Sequence, residues 1–320
     1  MRVRFWGTRG SLPIAATAET ITDKICTALV AASGRSFADS DEARAFVEAQ
    51  LPFADRATYG GHSSCMQILP GDDVAEYVFC DLGSGIRPFS QQQMESGRAS
   101  GETYNLFLSH PHWDHIMGFP FFVPAYIPGN TVRIYGCHEN IEYALRTQNS
   151  QPWFPVDFDD LGANIEFITL APDQDHQIAG MTVRATLQEH SGDSYGFRFE
   201  RDGRSLVYST DAEHKLESED VTSRYVDFIS DAHLVIFDAM YSLADAVSIK
   251  EDWGHSSNIV GVDLCHRGKV QTYCMYHHEP VYNDAAIARV LDETIRYEEL
   301  MREDWALNVI SAYDGMELEV

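Results

Sequence analysis

Basic residues are scarce in this 320-residue sequence: 23 Lys and Arg stand against 49 Asp and Glu, a formal charge of −26. A field of that sign repels long polyanions and slows their association, which argues against bulk RNA or DNA as a partner. Cysteine is sparse as well. The six present (Cys26, Cys65, Cys80, Cys137, Cys265 and Cys274) form no Cys-x-x-Cys pair, so neither a zinc ribbon nor a disulfide framework is indicated and they read as free thiols. Apolar runs of about 18 residues are lacking, and no basic segment leads into an apolar stretch at the amino terminus. No membrane association is expected, and the reading is cytoplasmic. Hydrophobic residues at 44% and charged residues at 22% exclude disorder at scale. The length is within reach of one layered α/β domain, so a single domain over residues 1–320 is expected.

What the sequence does hold is histidine, concentrated in Leu106-Phe-Leu-Ser-His-Pro-His-Trp-Asp-His115. The apolar run Tyr104 to Leu108 reads as a buried strand, which puts His110, His112, Asp114 and His115 on the loop at its carboxyl end. Three imidazoles and a carboxylate so close together suit zinc, manganese or ferrous iron. One loop cannot fill two metal coordination spheres, so further ligands must come from elsewhere in the chain.

The pattern His-x-His-x-Asp-His closely resembles the signature of the metallo-β-lactamase superfamily. The opening Met1-Arg-Val-Arg-Phe-Trp-Gly-Thr-Arg-Gly-Ser-Leu-Pro13 resembles its phosphodiesterase-like branch, which includes ribonuclease Z and cyclic nucleotide phosphodiesterases. The resemblance implies an α/β fold, a four-layer αββα sandwich with the metals at one edge. It implies two divalent ions, zinc first, with manganese or iron as alternatives. His110, His112 and His190 would hold the first, Asp114, His115 and His277 the second, and Asp211 would bridge them; His278 competes with His277. A hydroxide between the ions would attack phosphorus. Asp238 and His255, in Phe-Asp-Ala-Met-Tyr and Gly-His-Ser-Ser, resemble a pair in which the acid orients a histidine near the leaving oxygen, and with Asp114 they form the expected catalytic group. Asp81, in an Asp-x-Gly turn, is expected to accept a hydrogen bond from a ligating imidazole.

Two departures from the family pattern stand out. Between Ile14 and Ala57, Thr20 to Ala32 and Asp41 to Leu51 carry apolar residues at helical spacing where relatives need only a loop, and a lid, a dimer contact or decoration are the candidate roles. His62 stands in the glycine-rich turn Thr58 to Cys65 where the resemblance leads one to expect Asn.

The expected activity is hydrolysis of a small phosphodiester such as a cyclic nucleotide, with a homodimer as a possible assembly. Alternatives are a ribonuclease Z-like nuclease, a thioester or lactone hydrolase of the same fold, or a non-enzymatic metal-bound sensor or scaffold. The short interval from His190 to Asp211 leaves no room for the long tRNA-grasping arm that the resemblance implies for tRNA-processing enzymes.

Overall fold

The computed structural model describes residues 1–97, 100–214, 218–242, 253–302 and 305–320. Two seven-stranded mixed sheets are stacked face to face. The first has the order β14-β1-β2-β3-β4-β5-β6, made of β1 (Arg2–Gly7), β2 (Cys65–Leu69), β3 (Tyr77–Cys80), β4 (Thr103–Phe107), β5 (Thr131–Gly136), β6 (Asn164–Thr169) and β14 (Glu317–Glu319). The second has the order β13-β12-β11-β10-β9-β8-β7, made of β7 (Asp175–Ile178), β8 (Met181–Gln188), β9 (Ser194–Arg201), β10 (Arg204–Ser209), β11 (Leu234–Asp238), β12 (Thr272–Tyr276) and β13 (Asn308–Ser311).

Strand alternation divides the apolar residues into layers. Phe5, Met66, Phe107, Phe197, Tyr208 and Tyr276 point into the seam between the sheets. Trp6, Leu106 and Ile134 face outward from the first sheet beneath α4 (Ile86–Ser96) and α6 (Ile141–Gln148). Val207, Phe237 and Met275 do the same on the second sheet beneath α7 (Glu219–Ile229), α8 (Asn258–Arg267) and α9 (Asp284–Met301). Two sheets buried on both faces must be covered by helices, and the result is the expected αββα sandwich.

The strands β3 to β6 run parallel, as do β10 to β13, so each block ends its strands at a common edge. Side chains placed just beyond those ends converge, a usual address for a ligand site in a parallel sheet.

The helices expected in the 14–57 region are α1 (Ala18–Ala31) and α2 (Ser40–Gln50), capped by Thr17 and Asp39, followed by the one-turn α3 (Phe53–Arg56). Neither α1 nor α2 buries a residue fully. Their anchor is Lys24, whose ammonium lies 2.8 Å from Asp284 at the start of α9 and donates to the carbonyl of Ala57 at 2.7 Å. Among the described residues no helix is long and apolar enough to cross a membrane.

Candidate metal centre

Beyond the end of β4 the chain enters α5 (Trp113–Ile116), a single turn flanked by His110 and His112. That turn carries Asp114 and His115 inward, where both are buried. From the second sheet come His190 after β8, Asp211 after β10, Asp238 at the end of β11 and His277 directly after β12. Asp81 after β3, Asp211 and His277 have positive φ, of 57°, 50° and 60°. Such backbone is costly for residues other than glycine, and here it turns each side chain back over the sheet edge.

The Asp211 carboxylate separates two groups of histidines. Its Oδ1 lies 3.1 Å from His115 Nε2 and 3.2 Å from His277 Nε2, while Oδ2 lies 3.7 Å from His110 Nε2 and 3.8 Å from His190 Nε2. On one side His112 Nδ1 approaches His190 Nε2 to 3.2 Å. On the other, Asp114 Oδ2 lies 3.1 Å from His115 Nε2 and 3.4 Å from His277 Nε2. The geometry therefore gathers His110, His112 and His190 in one cluster, and Asp114, His115, Asp211 and His277 in another. His278 is turned away: its Nε2 meets the carbonyl of Ala312 at 2.9 Å, and burial pushes its pKa down to about 3.

These residues fit divalent cations. Among the described residues His110 Nε2 and His115 Nε2 are buried without a hydrogen-bond partner, although carboxylate oxygens stand close by. Nitrogens and oxygens aimed at a common point rather than at one another are what a metal requires. Burial favours neutral His110 and His112, with the neighbouring imidazoles adding to the effect, and neutral imidazole is the ligating form. Burial alone would raise the pKa of Asp114 and Asp211, but His115 and its neighbours hold both carboxyls below the usual range, and those carboxylates with Asp81 in turn raise the pKa of His115. Buried carboxylates of this kind demand compensation, which bound cations would supply.

The surrounding hydrogen bonds fix the tautomers. His115 Nδ1 lies 2.7 Å from Asp81 Oδ2, and Asp81 also accepts from the Ser109 amide, the Ser109 hydroxyl and the Tyr208 hydroxyl, each at 2.8 Å. His190 Nδ1 donates to the Gly254 carbonyl at 2.8 Å, which leaves Nε2 facing the cluster. With so many donors converging on one carboxylate, Asp81→Asn would set an amide N–H against at least one of them. Its expected effect is a loss of about 10–100-fold in metal affinity, checked by competition with a chromogenic chelator; native affinity would deny Asp81 any part in orienting His115.

At the rim, His255 Nδ1 lies 2.8 Å from Asp238 Oδ2, and Asp238 is locked by the amides of Ala212 and Met240, both at 3.1 Å. Burial opposes a charge on His255, but Asp238 outweighs it and raises the pKa to about 9. His255 lines one cavity with His112, Asp114, His190 and Asp211. Every residue expected at the site is thus brought to one edge of the sandwich.

Other supporting residues were not anticipated. The Ser11 amide donates to Asp114 Oδ2 at 2.9 Å, so the opening loop orients a candidate ligand through its backbone. Gly10 packs flat on His277, since a Cβ there would stand 2.7 Å from the imidazole ring. Buried Arg9 donates to the carbonyls of Gly60 and Tyr282, at 2.9 and 2.8 Å. Asp314 accepts from the amides of Gly61 and His62, at 2.9 and 3.0 Å, and pins the glycine-rich turn. The expected Asn position in that turn holds His62, whose Nδ1 meets the Ser84 hydroxyl at 3.1 Å.

Comparison with known proteins bears on this arrangement. The family described as the beta-lactamase superfamily domain matches residues 81–278, from Asp81 through His278. Ribonuclease Z of Thermoplasma acidophilum is 20% identical over 304 residues, covering 76% of this chain and 93% of that protein. Among solved structures, the metallo-β-lactamase fold protein YhfI from Bacillus subtilis superimposes with a TM-score of 0.63 at 15% identity, covering 99% of this chain and 98% of that one. A diphosphatase from the PhnP family gives 0.59 at 17% identity, with 100% and 97% covered. The matched segment contains every candidate metal residue, the sheets share the superfamily's layered architecture, and the chain belongs to the beta-lactamase superfamily with the metallo-β-lactamase fold.

Proposed function

We propose that this chain is a dinuclear metal-dependent phosphodiesterase acting on a small phosphodiester, with cyclic nucleotides as the leading candidates. The observation that carries the reading is the Asp211 carboxylate, each of whose oxygens addresses a different histidine group. In this reading His110, His112 and His190 hold one ion, Asp114, His115 and His277 hold the other, and Asp211 joins them. Two divalent ions so bound supply Lewis-acid polarisation of a phosphoryl oxygen and lower the pKa of water from 15.7 towards about 7.

The chain's own groups do the rest. His255 holds a proton on the ring nitrogen not engaged by Asp238 and delivers it to the departing oxygen, while Asp238 keeps the ring oriented and favours its charged form. Among the described residues no Lys or Arg lines the cavity and Glu279 adds a carboxylate to its wall, which favours a substrate of low charge.

Ribonuclease Z and a diphosphatase among the relatives support chemistry at phosphorus. The first also raises the nuclease reading. Against it, the interval between His190 and Asp211 is filled by β9, β10 and a tight Asp202-Gly203 turn in which both residues have positive φ, so a hairpin occupies the place where an arm would be inserted. The acidic balance of the chain points the same way.

The test is turnover by metal-analysed protein across cyclic nucleotides, a nitrophenyl phosphodiester, a precursor tRNA, a thioester and a lactone. Turnover of the small diesters, with none of the thioester or lactone, is expected. Activity confined to the last two would overturn the reading, and efficient cleavage of the tRNA above all small diesters would replace it with the nuclease.

A further inference from the structure

Two tryptophans stand at the mouth of the cavity with most of their surface in water: Trp113 is 71% exposed and Trp253 is 62% exposed. Both line the same space of about 470 Å³ as His112, His190, Asp211 and His255. Among the described residues neither indole has a hydrogen-bond or ring partner.

Their backbones are nevertheless held firmly. Trp113 lies between His112 and Asp114, and its carbonyl accepts from the Met117 amide at 2.6 Å. Trp253 precedes Gly254, whose amide donates to Glu213 Oε2 at 3.1 Å and whose carbonyl receives His190 Nδ1 at 2.8 Å. Each indole is therefore carried on backbone tied to a candidate metal ligand, which is a rigid mounting for a recognition surface.

We propose that Trp113 and Trp253 form a nucleobase subsite, so that the substrate is a nucleoside phosphodiester carrying one phosphate. The inference rests on the phosphodiesterase reading and narrows it. Flat indole faces stack on any base, which gives affinity without sequence preference. Among the described residues the cavity wall carries no Lys or Arg to meet a second phosphate, which favours a mononucleoside diester over diphosphates and oligonucleotides. Stacking should contribute about 5- to 150-fold in binding per base.

Thymidine 5′-(p-nitrophenyl phosphate) and methyl p-nitrophenyl phosphate share a leaving group and differ only in the base-bearing ester. Metal-loaded wild-type protein should prefer the thymidine ester in kcat/KM, mainly through KM. In Trp113→Ala and Trp253→Ala that preference should fall about 5- to 150-fold, and in Trp113→Phe and Trp253→Phe it should partly return. The second readout does not depend on turnover: AMP should quench indole emission of the metal-free protein, and the double alanine variant should lose this response. An unchanged ester preference, or a quench that persists in the double variant, overturns the subsite while leaving the phosphodiesterase reading intact. Failure of the loaded wild-type protein to cleave either ester overturns that reading, and the AMP titration then still decides whether the indoles bind a base.

Discussion

Asp211→Ala is expected to release both metal ions and to depress turnover by more than the roughly 10–100-fold that follows loss of a residue which only orients a ligand. The expectation follows from the position of one carboxylate between two histidine groups, 3.1 and 3.2 Å from one and 3.7 and 3.8 Å from the other. Alanine leaves the imidazoles in place but removes the charge they share. The Thr210 hydroxyl, which donates to Asp211 Oδ1 at 2.7 Å, is left without its acceptor. Elemental analysis of the purified variant should fall from about two ions per chain, the proposed loading, towards none. Stability should follow, because ions that bind only the folded state add about 2.7 kcal/mol at a hundredfold excess over Kd. A chelator should therefore lower the Tm of the wild-type protein and leave that of the variant unmoved. Two ions retained at native affinity would end the bridging assignment.

The second large effect belongs to His255. Its ring lies within ligand reach of His190 and Asp211, and also pairs with Asp238, so geometry alone admits two roles. As a proton donor it should be dispensable for metal binding, and His255→Ala should keep its ions while losing about 10²–10⁴-fold in turnover. The loss should be largest for a cyclic nucleotide, whose departing group is a sugar alkoxide. It should shrink for a nitrophenyl ester, whose phenolate leaves without help. Asp238→Asn should weaken the same step by disturbing the tautomer. Equal losses on both substrates in a fully metallated variant would reassign His255 to substrate positioning, and loss of metal would make it a ligand.

Much of this site could be read before any coordinates, because its chemistry is written locally. His110 to His115 lie within one short loop, and His190, Asp211 and His277 each follow a run that reads as a strand. The choice between His277 and His278 could not be read so directly: adjacent residues after a strand point to opposite sides, and only the packing of Ala312 against His278 shows which one faces inward. Strand β7, Asp-His-Gln-Ile, is short and polar, so it lacks the apolar pattern that marks a strand. Asp314 and Ser11 act through backbone amides far away in sequence, and such contacts leave no periodic trace. Trp113 was visible within the signature, but its exposure, and its sharing of a cavity with Trp253, belong to the tertiary structure.

The division of the cluster between two sheets also imposes a schedule during synthesis. The residues of the first sheet's loop leave the ribosome together, followed by His190, Asp211 and, much later, His277. A nascent chain that has reached Asp211 offers one complete histidine trio and all of the opposite pocket except His277. The second pocket closes only when β12 has been made and laid in register beside β11. Under the proposed two-ion reading, the pocket that needs His277 would be completed after the histidine trio, so a metal-starved chain would hold one ion or none until supply returns.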